Sequence, residues 1–322
     1  MPSKRQSMAV LSFVLLIIVV SSVLFGFVTL PESFLSLNPF SELDQNRVAE
    51  VKSLVDWAET NTRIVRLDEL PTVGSIDDGG PLVLRFDDLR ASAYRDGITA
   101  FLEMMLQKKV KVTLGIVAGD FGAEPLLSLV RRGVREGYFE VAIHGWLHED
   151  FAALGEMQMT ELIRNAKNKL QGLFPETTIS TLIPPFEEVN IEVLRAAAAN
   201  SLRHVTSDLA HGQPYDWDGV RFLPKTVDTG TPGLRADDQW TMYDQATIIN
   251  AAEKSITTYG YAIATLHPQQ LTKHWTATTI SFILVGTAVT LIVLVCLFEL
   301  ATRAEKRKRE KAKGSSMGSM RL

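Results

Sequence analysis

The chain has 322 residues, of which 46% are hydrophobic and 22% are charged, and its formal net charge is −4. This acidic balance argues against a nucleic-acid-binding protein, which needs a basic face to neutralise phosphates. The only cysteine, Cys296, lies in an apolar stretch, so the rest of the chain has neither a disulfide nor a thiol nucleophile.

The first predicted element is an uncharged stretch over residues 8–30, and a second apolar stretch covers residues 275–299. Each can cross a hydrocarbon layer of roughly 30 Å at about 1.5 Å rise per residue. A buried core helix is the alternative for either stretch, and a cleavable signal peptide is the alternative for the first. Both alternatives usually involve shorter apolar runs. The sequence therefore predicts two transmembrane helices.

Basic residues flank the two stretches on their outer sides. Lys4 and Arg5 precede the first, and a Lys/Arg-rich tail over residues 300–322 follows the second. Because basic flanks remain in the cytoplasm, we expect a two-pass protein of the cell membrane, with the lipid bilayer as a partner. Residues 1–7 and the tail would be cytoplasmic, and residues 31–274 would be extracytoplasmic.

Residues 31–80 are predicted to form a membrane-proximal connector. Apolar residues at helical spacing over residues 41–59 indicate one helix in this segment. Polar sequence that contains glycine then continues to Gly80, and the pattern changes at Pro81.

Residues 81–274 are predicted to form an α/β domain, because short β-branched runs alternate with amphipathic stretches. The predicted strands cover residues 82–86, 110–117, 139–143, 178–183, 204–206, 220–223 and 261–266. The predicted helices cover residues 93–108, 124–136, 159–173, 191–201 and 244–259. About seven parallel strands favour a distorted (β/α) barrel. An open doubly wound sheet is the alternative, but no glycine-rich phosphate loop follows any strand.

Polar clusters follow four of the predicted strands. They are Asp87-Asp88, the pair His144 and His148, the segment 184–188, and His267. Catalytic groups of barrels and open α/β sheets collect at the carboxyl ends of the strands. We therefore expect these four clusters to meet in one mouth.

The spacing of His144 and His148 points both imidazoles at a common location. Two imidazoles and one carboxylate form a site for Zn²⁺ or another divalent metal, with positions left for water and substrate. One acid of the Asp87-Asp88 pair could bind the metal while the other takes a proton from water. The alternatives are paired surface histidines and acids that cap a helix. A lone histidine after a strand, such as His267, is often half-buried without a catalytic role.

Together, these residues resemble the polysaccharide deacetylase family, carbohydrate esterases that remove N- or O-acetyl groups from glycans. The family's Thr-Phe-Asp-Asp-Gly motif is similar to residues 85–89, and its His-x-x-x-His motif matches His144 and His148. Its groove-lining Arg-x-Pro-aromatic motif is represented by residues 184–186, and its final Leu-His motif by residues 266–267. The resemblance covers residues 81–269.

The resemblance implies a role for each matched residue. Asp87 would be the general base and His267 the general acid, with a metal on Asp88, His144 and His148. The predicted substrate-binding residues are Pro185, Phe186 and Glu187. The expected activity is metal-dependent removal of acetyl groups, as amide or ester, from a cell-surface or lipid-linked glycan.

The sequence departs from the family where an arginine is expected in the groove-lining motif, because Ile183 occupies that position. That arginine normally orients the base, and Arg85 is a candidate to replace it. The departure keeps two alternatives open: a non-catalytic barrel that binds a glycan or a protein, and a metal hydrolase of a non-sugar amide.

Overall fold

The computed structural model describes residues 42–72, 80–231 and 240–273, and in addition residues 294–295, 297–298, 300 and 302–303. The chain divides into two compact units, Ser36–His274 and a unit made of Met1–Leu35 with Trp275–Leu322. Both predicted transmembrane segments lie outside the described residues, apart from positions 294, 295, 297 and 298, which are helical. Among the described residues, no helix has both the length and the apolarity needed to cross a membrane.

The Ser36–His274 unit alternates strands and helices along the chain. Its described strands are β1 (Glu42–Leu43), β2 (Arg63–Val65), β3 (Pro81–Leu89), β4 (Val112–Ile116), β5 (Phe139–Ile143), β6 (Thr181–Leu182), β7 (His204–Val205), β8 (Tyr215–Trp217), β9 (Val220–Phe222), β10 (Val227–Asp228), β11 (Gly230–Thr231), β12 (Thr241–Met242), β13 (Ala262–Leu266) and β14 (Thr272–Lys273). Its described helices are α1 (Gln45–Asn61), α2 (Arg95–Lys108), α3 (Leu126–Arg135), α4 (Glu156–Leu173), α5 (Ile191–Ala199) and α6 (Gln245–Tyr259).

One curled sheet organises this unit. The strands β13, β3, β4, β5, β6, β7 and β9 follow one another as parallel neighbours, and β8 pairs antiparallel with β9. The segment 220–228 contains β9, which pairs with β7, and β10, which pairs with β13. One stretch of chain therefore pairs with strands on both sides of the curled sheet. The prediction of a distorted barrel of about seven parallel strands is confirmed in its coarser form, because these seven strands form one curled α/β half-barrel.

The strand β3 shows how the curl directs side chains. Leu82, Leu84 and Phe86 face the helices in the main hydrophobic core, and the Phe86 ring stacks on Phe101 of α2 at 3.9 Å between centroids. Val83 belongs to a second cluster, which is enclosed by the sheet. Because successive side chains of a strand point to opposite faces, Arg85 and Asp87 follow Val83 on the inner face.

The term mouth is used for the edge of the sheet at which β3, β5 and β13 end. The term far end is used for the opposite edge, at which these strands begin. The helix α1 and the strand β2 belong to this packed unit. The apolar residues of α1 are buried in the main core, and β2 pairs parallel with the start of β3. The described part of the segment 31–80, predicted as a connector, is therefore integral to the domain, because the apolar face of α1 covers the sheet.

A buried glutamate lies inside the sheet toward the far end. Glu140 of β5 accepts hydrogen bonds from the Asp68 N–H (3.1 Å) and from the hydroxyls of Thr113 (2.7 Å) and Thr181. Burial, helped by the charge of Asp68, raises the pKa of Glu140 to about 7. These bonds connect the 3₁₀ turn Leu67–Thr72 to the inside of the sheet.

Candidate active site

The two acidic residues near the end of β3 both face the mouth. Asp87 continues the inner-facing row of Arg85, whereas Asp88 has a φ of 60°. The pairing of β3 with β4 shifts register between Phe86 and Leu89. Such an irregularity re-aims a side chain that would otherwise point to the opposite face. Two consecutive carboxylates can therefore serve one site.

Asp88, His144 and His148 come together as the sequence predicts. Asp88 Oδ1 lies 3.1 Å from His148 Nε2 and 3.5 Å from His144 Nε2. One ligand atom from each of the three residues falls within 4.8 Å of the others. A carboxylate oxygen and two imidazole nitrogens are the donor set of catalytic zinc sites, so these residues fit a divalent metal.

The ring of His144 is oriented by the backbone. Its Nδ1 lies 2.8 Å from the carbonyl oxygen of Ile183, which accepts its N–H and turns Nε2 toward Asp88. Ligand histidines usually donate their second N–H in this way. In the following loop, the carboxylate of Glu149 accepts the backbone N–H groups of Trp146 (2.9 Å) and Leu147 (2.8 Å). The loop that carries His148 is thereby held next to β5.

The carboxylate of Asp88 is also held from outside the triad. Arg90 Nη2 lies 2.8 Å from Oδ1, and Gln269 Nε2 donates to Oδ2 at 3.0 Å. Burial on its own would raise the pKa of Asp88, but hydrogen bonds from His144 and His148 and the charge of Arg90 hold it well below its usual value. Asp88 is therefore ionised, as a metal ligand must be.

Asp87 is bonded on one oxygen and free on the other. Arg85 Nη2 lies 2.8 Å from Asp87 Oδ2, and the side chain of Arg85 has no exposed surface. Among the described residues, Oδ1 of Asp87 is buried without a hydrogen-bond partner. A Cβ at Gly115 would lie 2.9 Å from this Oδ1, so the glycine makes room for the carboxylate. The geometry leaves one oxygen able to receive a proton.

His267 follows β13 on the other side of β3. Its ring stacks on Trp240 with 4.0 Å between centroids, and its Nδ1 is buried without a hydrogen-bond partner in the described part of the chain. Burial lowers the pKa of His267, while the charges of Asp87 and Asp88 act in the opposite direction. Because β13 pairs parallel with β3 and Leu266 lies opposite Phe86, His267 and Asp87 follow at neighbouring positions of the mouth.

The segment predicted to bind substrate has two different sides. Pro185 is buried, and Phe186 is exposed with its ring edge-on to His148 at 4.6 Å. Glu187 forms ion pairs with Arg85 and, at 3.3 Å, with Lys225. The exposed ring of Phe186 is thus available to a substrate, whereas the carboxylate of Glu187 is already paired with the side chains of Arg85 and Lys225.

The sequence interpretation missed four residues around these groups, namely Arg90, Gln269, Trp240 and Lys225. Arg90 and Gln269 each lie two positions after a predicted site residue, which is the only local signal for either. Nothing in the sequence pattern distinguishes Trp240 or Lys225 from ordinary loop residues. Their contacts depend on how the loops of the mouth meet.

A family model described as polysaccharide deacetylase matches residues 76–205, and this match supports a polysaccharide deacetylase domain in the chain. The matched segment contains Asp87, Asp88, His144, His148 and the loop that carries Phe186. It does not contain His267. No curated protein matches the chain.

Several solved structures are distantly similar. A polysaccharide deacetylase from Bacillus cereus has 12% identity and a TM-score of 0.48, over 63% of this chain and 61% of its own length. A CE4 family pseudoenzyme from Bacillus anthracis has 15% identity and a TM-score of 0.40, over 66% and 59%. A family 4 carbohydrate esterase from Streptomyces lividans, in complex with acetate, has 21% identity and a TM-score of 0.41, over 65% and 90%.

Proposed function

We propose that this chain is a metal-dependent deacetylase that removes acetyl groups from a glycan. The observation that carries the proposal is the meeting of Asp88, His144 and His148 beside Asp87 and the strand end that bears His267. The family match over most of these residues supports the same reaction class. A carboxylate–imidazole triad next to a second, partly unbonded carboxylate is suited to hydrolysis of an acyl group.

The metal would be held by Asp88 Oδ1 and by Nε2 of both histidines. When bound, a divalent cation such as Zn²⁺ supplies a Lewis acid and lowers the pKa of the water in contact with it. The bond from His144 Nδ1 to the Ile183 carbonyl fixes the ring so that Nε2 would be the nitrogen that binds the metal. This contact uses the backbone carbonyl of residue 183, so it does not require the arginine side chain that the family motif has at this position.

Asp87 would act as the general base. Its Oδ1 carries no competing hydrogen bond from the described residues and can take the proton of the attacking water. Arg85 holds Oδ2 at 2.8 Å and fixes the plane of the carboxylate. The water oxygen would then bond to the acetyl carbonyl carbon. A cation held by Asp88, His144 and His148 would supply positive charge for the carbonyl oxygen.

His267 would act as the general acid, and it must be protonated to do so. It transfers a proton to the leaving nitrogen or oxygen while the bond from that atom to the carbonyl carbon breaks. Acetate and a free amine or hydroxyl are the products. Stacking on Trp240 fixes the plane of the imidazole, and Phe186 offers an exposed ring beside His148 for a sugar face.

We also propose that the protein is located in the cell membrane, with both termini cytoplasmic and the residues 31–274 extracytoplasmic. The support is the sequence pattern of two apolar stretches flanked by basic residues on their outer sides. The substrate would then be a glycan outside the cytoplasm, either at the cell surface or linked to lipid.

The test is acetate release by the purified full-length chain, loaded with Zn²⁺, from a panel of N- and O-acetylated sugars. We expect release from at least one sugar, lost on chelation and reduced at least about 100-fold in Asp87→Asn. Release that is equal in wild type and Asp87→Asn would contradict the proposal. Metal binding without release from any acetylated sugar would favour the non-catalytic alternative.

A further inference from the structure

Both ends of the described domain leave it on the same side. The first strand, β1, pairs antiparallel with the last, β14, with Glu42 opposite Lys273 and Leu43 opposite Thr272. The Asp44 N–H also donates to the Leu271 carbonyl at 2.8 Å. The chain therefore enters and leaves the domain at one place.

That place is at the mouth. The strand β13 ends at the mouth, and only the short 3₁₀ turn Pro268–Leu271 separates His267 from β14. Thr272 and Leu271 pack against Gly97, in the first turn of α2, which also begins at the mouth because it follows β3. In addition, α1 starts beside Leu271 and leads to β2, which pairs with the start of β3 at the far end.

The exposed apolar side chains of the described domain also collect at the mouth. They lie in the loops that follow the strands or near the first turns of helices that begin there. With their exposed fractions they are Leu147 (63%), Met157 (85%), Phe186 (61%), Ile191 (39%) and Tyr243 (37%). We call these five residues the apolar rim. In the described residues, no large exposed apolar side chain lies in the turns of the far end, such as those at Lys109 and Glu136.

We propose that the apolar rim docks on the bilayer and that the substrate is the acetylated sugar headgroup of a lipid in the same membrane. The inference rests on the proposed deacetylase function and narrows its substrate class. Only His274 lies between Lys273 and Trp275, where the second apolar stretch starts, and these two residue steps span at most about 7 Å. The chain that leaves the mouth therefore reaches the second apolar stretch within one residue.

The chemistry of the rim fits a lipid surface. A group of exposed apolar residues on one side of a domain indicates an interaction surface. The described positions of the second apolar stretch are helical, and Leu294, Val295, Leu297 and Phe298 each expose more than half of their surface. A sugar attached to lipid would enter the mouth from the membrane side.

The orientation can be measured without using activity. The full-length chain with Cys296→Ser would be given one new cysteine, either Met157→Cys on the rim or Glu136→Cys at the far end. Each would carry an environment-sensitive fluorophore in vesicles that contain lipid spin-labelled near the headgroup. We expect quenching at Met157→Cys to be at least three-fold stronger than at Glu136→Cys. Equal quenching, or stronger quenching at the far end, would overturn the docking.

The substrate class is tested by hydrolysis of two probes by the full-length chain in vesicles. One probe is an N-acetylglucosaminyl lipid in the same vesicles, and the other is soluble N-acetylglucosamine oligomer. A twelve-residue glycine–serine insertion between His274 and Trp275 should lower the lipid-probe rate at least about five-fold and leave the soluble rate unchanged. Equal loss on both probes, or no loss on either, would overturn the inference.

The two proposals can fail separately. If neither probe nor any other acetylated sugar releases acetate, the proposed deacetylase function fails, while the quenching comparison still decides whether the rim docks. If the soluble probe is hydrolysed at the rate of the lipid probe and the insertion has no effect, the function stands and the lipid-linked substrate is rejected.

Discussion

Arg85 and Asp87 form a buried ion pair on the inner face of one strand, with 2.8 Å between Nη2 and Oδ2. Arg85 also donates to the Thr206 hydroxyl at 3.3 Å and pairs with Glu187. One guanidinium thus connects the proposed base to the loop that carries Phe186. A buried pair of this kind is weak evidence for stability, but removal of one partner leaves an uncompensated charge.

Arg85→Met should destabilise the fold by roughly 3–5 kcal/mol, because Asp87 and Glu187 then share a buried site without this cation. Adding Glu187→Gln should recover part of that loss. Urea denaturation of the single and double variants measures both effects. An Arg85→Met variant as stable as wild type would show that the two carboxylates do not depend on Arg85.

Arg85→Lys keeps the positive charge but not the planar guanidinium, whose Nη1 contacts Thr206 and whose Nη2 contacts Asp87 and Glu187. Since Asp87 would lose its fixed orientation, we expect kcat to fall about 10- to 100-fold with KM within about two-fold. Zinc content should be unchanged, because Arg85 does not contact the triad. A higher KM with unchanged kcat would instead assign Arg85 to substrate binding.

Asp88→Asn should weaken zinc binding at least about 100-fold, since it removes the anionic ligand of the triad. Isothermal titration with zinc on the chelator-treated chain measures the affinity. Asp216→Asn is the matched control, because Asp216 is exposed and pairs only with Arg221 in the described structure. Equal zinc affinity of both variants would place the metal elsewhere.

Gly115→Ala should impair catalysis without preventing folding. The added Cβ would lie 2.9 Å from Asp87 Oδ1 and 3.2 Å from Ile183 Cδ1, so the carboxylate must move. We expect kcat to fall at least about ten-fold. Gly172→Ala, in α4, meets nothing within 4 Å and should keep full activity while gaining up to about 1 kcal/mol of stability. Full activity of Gly115→Ala would remove Asp87 Oδ1 from the mechanism.

Glu140 should make the fold less stable as pH rises. Its pKa is about 7 in the folded chain against a usual 4.5, so the folded state holds a proton that the unfolded state releases between these values. The contribution is fully present below pH 4.5 and is lost as pH rises through about 7, and it amounts to roughly 3 kcal/mol. Urea midpoints of wild type and Glu140→Gln at pH 5 and pH 8 test this. A wild-type midpoint no lower at pH 8 than at pH 5, relative to Glu140→Gln, would contradict it.

Local patterns in the sequence predicted most of the elements. The strand over residues 139–143 was predicted with the bounds of β5, because its apolar run is short and bounded by polar residues. The strand predicted over residues 178–183 is regular only at Thr181–Leu182. The positions of Asp88, His144 and His148 after strand ends predicted their meeting, since parallel strands place these ends on one edge. A helix over residues 41–59 was predicted as well, but not its burial against the sheet.

Contacts between residues distant in sequence were decided only by the tertiary structure. Glu187 follows a strand as a substrate-contacting residue would, yet it pairs with Arg85, 102 positions earlier. The pairing of β1 with β14 brings the first and last described strands of the domain together at the mouth, and no periodicity indicates it. Apolar spacing and strand ends are short-range properties that the sequence determines by itself. Which charges neutralise one another, and which end of the domain faces its surroundings, depends on the curl and register of the sheet.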